Sequence, residues 1–178
     1  MAKQFLDIDV LTAARQRIAD TFDSFERIYL AFSGGKDSSV MMHLVMDEAI
    51  KRNRKVAVMF IDFEAQYADT ISHATEMFSM YADNIEPHWI CIPMLLRNAV
   101  TNYEPRWTCW DESKREAWIR SKPLGCKTED DYPFALPEME FEEFMVIFGE
   151  WYYKKKTTAA FIGIRADESL HRYRAITS

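Results

Sequence analysis

The stretch Ile28-Tyr29-Leu30-Ala31-Phe32-Ser33-Gly34-Gly35-Lys36-Asp37-Ser38-Ser39 decides how the rest of the chain is read. Its first five residues form an apolar run too brief for a typical helix and suited to a buried strand. Gly34 and Gly35 then admit backbone angles that other residues avoid, and they carry no side chain to block a ligand. From about Asp37 to Lys51 a helix is predicted, with Val40, Met41, Leu44 and Val45 as its buried stripe. Strand, glycine turn and helix start in succession let consecutive amide N–H groups face one point, backed by the positive end of the helix dipole. Lys36 adds a mobile full charge, and the hydroxyls of Ser33, Ser38 and Ser39 add donors. Neither a Walker A pattern nor a Gly-x-Gly-x-x-Gly dinucleotide fingerprint is present. Two glycines alone would fit a plain turn capped by Asp37 or Ser38. The strand before them and the helix after them favour a phosphate cradle.

Upstream, residues 8–25 carry Val10, Leu11, Ala14, Ile18 and Phe22 near one helical face. Downstream, Val56–Ile61 is a second strand, residues 67–81 a helix, and Pro87–Ile92 a third strand. A helix over 138–153, with Met139, Phe144, Ile147, Phe148 and Trp151 near one face, precedes a strand over 159–164. Strands alternating with helices imply parallel pairing. Residues 93–137 break the rhythm, holding five of the six prolines and three of the five tryptophans. They read as an insertion or lid with one short helix near 111–120, inside a single domain spanning 1–178. Trp107, Trp110 and Trp118 are expected to pack that lid rather than stack on a base.

The carboxyl ends of the strands collect the charged segments. Asp62-Phe63-Glu64 follows the second strand, and Arg165-Ala166-Asp167-Glu168-Ser169 follows the last. Ligands of open α/β sheets gather beyond that edge, so both segments are expected to meet the glycine turn there. Arg172 is a second candidate phosphate ligand. The 178 residues suffice for one continuous core, and 48% hydrophobic content is that of a globular protein. A net charge of −6 argues against broad nucleic-acid binding, without excluding a basic pocket from Lys36, Arg97, Arg106, Lys114, Arg115, Arg165, Arg172 and Arg174. Three scattered cysteines (Cys91, Cys109, Cys126) and four dispersed histidines predict neither a disulfide framework nor structural zinc. No apolar run is long enough to span a bilayer, and residues 1–7 lack a signal core, so a cytoplasmic protein is expected.

Ser33–Ser38 resembles the PP-loop of the N-type ATP pyrophosphatase superfamily. With Phe60-Ile61-Asp62-Phe63-Glu64-Ala65-Gln66-Tyr67 and Gly163-Ile164-Arg165-Ala166-Asp167-Glu168-Ser169, the likeness is to the phosphoadenylylsulfate (PAPS) reductase branch. It is nearest to a subgroup of uncharacterised bacterial and phage proteins, and covers most of residues 8–176. Trp107-Thr108-Cys109-Trp110-Asp111 and Lys114-Arg115 also look typical of that subgroup.

The resemblance implies a Rossmann-like, open, mainly parallel five-stranded sheet of the adenine nucleotide alpha hydrolase kind. ATP or PAPS would lie across its carboxyl edge. Ser33, Gly34, Gly35, Lys36, Asp37 and Ser38 would hold phosphates, Asp62 and Phe63 would neighbour the adenosine, and Gly163 with Arg165 would close the phosphate side. Lys36, Asp37 and Arg165 would act in catalysis, with Mg²⁺ on Asp37 or Asp62. The implied activity is cleavage between the α- and β-phosphates, adenylylating an unknown acceptor and releasing pyrophosphate. A PAPS-reductase activity is the alternative; the family's C-terminal Glu-Cys-Gly-Leu-His motif is absent, so Cys109 or Cys126 would have to replace its nucleophile. A third reading is a nucleotide-binding regulatory or assembly protein with a ParB-like partner or a homo-oligomeric state. The end at Ser178 fits a compact version of longer relatives.

Overall fold

The computed structural model describes residues 7–98, 100–154, 157–164 and 174. Their elements run α1 (Val10–Ser24), β1 (Ile28–Ala31), α2 (Lys36–Lys51), β2 (Val56–Ile61), α3 (Ala68–Met80), β3 (Ile85–Ile90), β4 (Met94–Arg97), β5 (Arg106–Cys109), α4 (Phe141–Tyr152) and β6 (Ala159–Ile162). Short 3₁₀ turns occupy Glu112–Ala117 and Glu129–Asp131.

The sheet order is β3-β2-β1-β6, every pair parallel. Among the described residues it has four strands, where the family resemblance implied five. Alternate residues of β2 feed opposite faces, as the two-residue period of a strand requires. Val56, Val58 and Phe60 join Ile18 and Phe22 of α1, Met42, Val45, Met46 and Ala49 of α2, and Ala74 and Met77 of α3. Ala57 and Met59 join Phe144 and Phe148 of α4 with Met94, Cys109, Trp110 and Tyr132. Helices thus cover one face, and α4 with the 93–137 segment covers the other. Burial on both faces explains why β2 is apolar throughout.

Two helical stripes differ from the sequence expectation. In α2, Val40 is 59% exposed while Met42, Met46 and Ala49 are fully buried beside Val45. The stripe is turned because the glycine loop fixes how the helix meets the sheet, and flexible Met side chains fill the interface better than a periodicity count weighs them. In α1, Val10 and Leu11 lie outside the core and only Ile18 and Phe22 are buried. Strand β3 begins at Ile85 rather than Pro87. Pro87 is tolerated because β3 lies at the sheet edge, where a missing N–H removes no ladder bond from the open side.

The 93–137 segment is more ordered than the expected loop with one helix. Antiparallel β4 and β5 pair Met94 with Cys109 and Arg97 with Arg106. Lys127 bridges β3, its N–H donating to Trp89 O at 2.6 Å while its carbonyl accepts from Cys91 N at 2.8 Å. No helix among the described residues is long and apolar enough to cross a membrane.

Candidate functional site

The turn between β1 and α2 is shaped by its glycines. Gly34 has φ +75°, and a Cβ there would lie 2.7 Å from Thr70 Cγ2 on α3. Backbone conformation and space both demand glycine. Gly35 is different: it N-caps α2 at φ −83°, and a Cβ would meet only Ser33 Oγ, at 3.5 Å. Among the described residues no side chain caps α2. The N-cap residue that would carry a capping hydroxyl is glycine, while Ser38 Oγ and Ser39 Oγ each donate to Gly35 O at 2.9 Å, and Ser38 Oγ lies 3.0 Å from Ser33 Oγ. Among the described residues the first amides of α2 have no side-chain acceptor, which is the arrangement an anion fills.

α3 braces this turn from behind. Besides Thr70, His73 Nε2 pairs with Ser39 Oγ at 2.7 Å, and the His73 ring lies 6.0 Å from that of Phe32. From the other side, β6 brings Gly163 against the start of α2. A Cβ on Gly163 would stand 3.2 Å from both N and Cα of Ser38. Only a residue without a side chain lets the two backbones approach this closely.

Beside the turn opens a cavity of about 400 Å³, lined by Ser33, Ser38 and Gly163 at one end. Met59, Ile61, Phe63, Phe141, Met145 and Ile164 give the remainder an apolar wall. Gln66 supplies a further polar group. Ring centroids of Phe63 and Phe141 are 6.0 Å apart, edge to face. The hollow therefore combines a few polar groups with a mainly apolar lining, as small-molecule sites commonly do. Phe141 and Met145, one helical turn apart on α4, were not anticipated from sequence. Their i, i+4 spacing on a helix following the proline-rich segment was the available signal.

Asp62 sits at the strand end as expected, but its carboxylate is occupied. It is 1% exposed. Oδ1 accepts from Glu64 N at 2.9 Å and from Arg120 Nη2, and Oδ2 accepts from Trp89 Nε1 at 2.8 Å. Glu64, at φ +65°, reaches the same segment: its carboxylate accepts from Trp110 N at 2.8 Å and Ile119 N at 3.2 Å. Trp110 Nε1 donates to Asp62 O at 2.5 Å. Two buried carboxylates after β2 thus hold the 93–137 segment against the carboxyl edge. The expectation that Trp110 packs is met, for it is fully buried.

Lys36 is exposed and Asp37 half-buried in the first turn of α2, beside the cavity rather than within its lining. Arg165 and Arg172 lie outside the described residues. Among the described residues no group of three His, Cys, Asp or Glu side chains is placed to hold a metal ion. Cys91 and Cys109 are buried, and burial pushes both thiols up, Cys109 to about 12. Cys126 is half-exposed. None of the three lines the cavity.

A parallel sheet whose glycine turn opens onto a half-apolar cavity at its carboxyl edge defines a nucleotide-binding α/β protein. Residues 27–176 match the phosphoadenosine phosphosulfate reductase domain, and the chain belongs to that nucleotide-binding family. It is 40% identical over 175 residues to the uncharacterized protein YbdN of Escherichia coli (strain K12). That match takes in 97% of this chain and 43% of the relative, so the chain spans less than half the length of the protein it resembles.

Proposed function

We propose that the chain binds ATP with its phosphates on Ser33–Ser38 and its adenine in the apolar part of the cavity, and cleaves it between the α- and β-phosphates. The carrying observation is the start of α2, uncapped among the described residues, beside a cavity lined by Ser33, Ser38, Phe63, Phe141 and Met145. Amides of the turn and the Lys36 ammonium neutralise charge developing on the phosphates, the principal protein contribution to phosphoryl-group chemistry. Gly163 keeps the backbone of β6 close enough to hold the turn in shape. Arg165, two residues on, is proposed to close the phosphate side, with Arg172 as a further ligand. When bound, Mg²⁺ would supply further neutralisation of the phosphate charge. Asp37 suits that role, whereas the three hydrogen bonds already made to the Asp62 carboxylate suit it to anchoring the 93–137 segment. The product is an adenylylated acceptor plus pyrophosphate. The chain is proposed to be one cytoplasmic domain.

Incubation with α-labelled ATP and Mg²⁺ should yield AMP, or an AMP adduct with an added acceptor, and pyrophosphate. ADP plus phosphate would refute the proposed bond. Reductase chemistry is the second reading, and the placement of cysteines disfavours it, since none described lines the cavity. Sulfite released from PAPS with a thiol reductant, and lost in Cys126→Ser, would reinstate it. Tight ATP binding with no product from either assay would favour a regulatory or assembly role, with a ParB-like protein or a second copy as partner.

A further inference from the structure

A second cavity lies in the 93–137 segment, away from the glycine turn. It measures about 290 Å³ and is lined by Glu112, Arg115, Trp118, Arg120, Ser121 and Lys122. Arg115 and Lys122 share the single Glu112 carboxylate, which is thinly spread between them, while Arg120 is already paired with Asp62. Glu112 lies 3.4 Å from Lys122 Nζ and 3.8 Å from Arg115 Nη1, distances too long for strong hydrogen bonds. Half of the Glu112 side chain is in solvent, while only 17% of the Lys122 side chain is exposed. Lys122 is therefore more buried than the carboxylate it faces, whereas the Arg115 side chain is 73% exposed and reaches the cavity from solvent.

The cations are also held in place. The Arg115 guanidinium stands 5.6 Å from the Trp118 ring centre, and the Lys122 ammonium 5.3 Å from it and 5.9 Å from that of Trp110. Arg120 stands 5.1 Å from the Trp110 ring centre. Aromatic faces orient cations without supplying hydrogen-bond acceptors. Arg120 shows the consequence most plainly. Its Nη2 donates to Asp62, yet its buried Nε and Nη1 have no hydrogen-bond partner among the described residues. Buried donors of a charged group are ordinarily paired.

We propose that this cavity binds an oxyanion (a phosphate, sulfate or carboxylate group) carried by the second substrate. Arg115, Lys122 and the Ser121 hydroxyl are its donors. Arg120 is a positioning residue that ties the cavity to Asp62, between Ile61 and Phe63 of the nucleotide cavity wall. Binding of an oxyanion is independent of the nucleotide reading; its assignment to an acceptor rests on that reading.

The test titrates ¹⁵N-tryptophan-labelled protein with sodium sulfate, phosphate or acetate against chloride at matched ionic strength, following the indole resonances. Wild type is expected to show saturable shifts of the Trp118 signal, assigned through Trp118→Phe. Arg115→Gln/Lys122→Gln should raise the apparent Kd by about tenfold or more, as loss of two charge-assisted contacts predicts, while the other indole signals report an intact fold. In Lys36→Ala the Trp118 shift should persist, because the glycine turn takes no part in it. Absence of a saturable shift beyond that of chloride overturns the proposal, as does an unaltered titration in the double variant. A shift lost in Lys36→Ala but kept in the double variant places the anion on the glycine turn, overturning this proposal while the nucleotide reading stands. Sulfate binding in a protein that does not bind ATP would leave this cavity intact and sink the other reading alone. Preference for sulfate or phosphate over acetate would identify a tetrahedral anion, and the reverse a carboxylate.

Discussion

Gly34 is the position where sequence, geometry and function meet most tightly, and Gly34→Ala tests all three. The native φ of +75° places a non-glycine residue in the left-handed region, at a cost of about 1–2 kcal/mol. The added Cβ would also lie 2.7 Å from Thr70 Cγ2, and relieving such an overlap in packed surroundings costs about 1–3 kcal/mol. The two effects add to roughly 2–5 kcal/mol, which for a domain of this size lowers Tm by about 5–15 °C. Relaxation of the turn instead would recover stability at the expense of ATP affinity. The assay is therefore paired: urea unfolding and ATP calorimetry on the same proteins. Thr70→Ser removes the methyl group at the overlap and leaves the dihedral cost untouched, so Gly34→Ala/Thr70→Ser should regain about 1–2 kcal/mol relative to additivity. Gly35→Ala is the internal control, with φ −83° and no contact nearer than 3.5 Å. As the N-cap of α2 it should cost about 0.5–1 kcal/mol, clearly less than Gly34→Ala. Equal stability and equal ATP affinity in Gly34→Ala would refute both the strained turn and its role as a cradle.

Glu64→Ala strips the acceptor from two backbone N–H groups, those of Trp110 and Ile119, and should destabilise by about 2–4 kcal/mol. Limited proteolysis should then cut first within residues 93–137; cleavage unchanged from wild type would contradict the anchoring role. Lys36→Ala should weaken ATP binding by about tenfold or more in calorimetry, with Tm unchanged because its side chain is solvent-exposed. His88 is held down to about 4 by burial under α4, against its ordinary 6.5. Between those values the unfolded chain takes up a proton that the folded one does not, so stability is full above pH 6.5 and falls toward pH 4, by up to about 3 kcal/mol. Urea titrations at pH 7 and 5 should show the loss, and His88→Gln should remove most of it; an identical slope in the variant would assign the loss elsewhere.

Strand and turn positions were legible because their causes are local. The five-residue run at Ile28 and the six-residue run at Val56 have no other stable use than buried strands, and consecutive glycines beside a lysine announce an unusual turn. The face of α2 was not legible. Which of Val40 and Met42 is buried depends on the angle at which the turn delivers the helix, and both are apolar. Residues 93–137 were obscure for a further reason. Their order comes from partners far along the chain: Trp110 and Ile119 on Glu64, Arg120 on Asp62, Lys127 on Trp89. None of these pairings leaves a period for a sequence reading to find. The charged cluster Asp62-Phe63-Glu64 was located correctly beyond β2, yet composition cannot tell a carboxylate that faces a ligand from one that holds a neighbouring segment.

That distinction recasts how the site is organised. Phe63 lines the cavity beside the glycine turn, while the residues on either side of it, Asp62 and Glu64, turn to the 93–137 segment. Alternation along the strand end thus sends one side chain to the proposed nucleotide and two to the structure that carries the basic cavity. Movement of the segment would pull on the backbone of Phe63, and occupancy of the cavity by adenine would resist it. Glu64 is held at φ +65° by local bonds as well, its N–H donating to Asp62 Oδ1 at 2.9 Å and Ala65 N donating to Phe63 O at 2.6 Å. Asp62 and Glu64 thus hold the 93–137 segment from either side of a cavity-lining residue, and Arg120→Lys, which keeps the charge but alters the grip on Asp62, should speed proteolytic cleavage within residues 93–137; cleavage unchanged from wild type would contradict that grip.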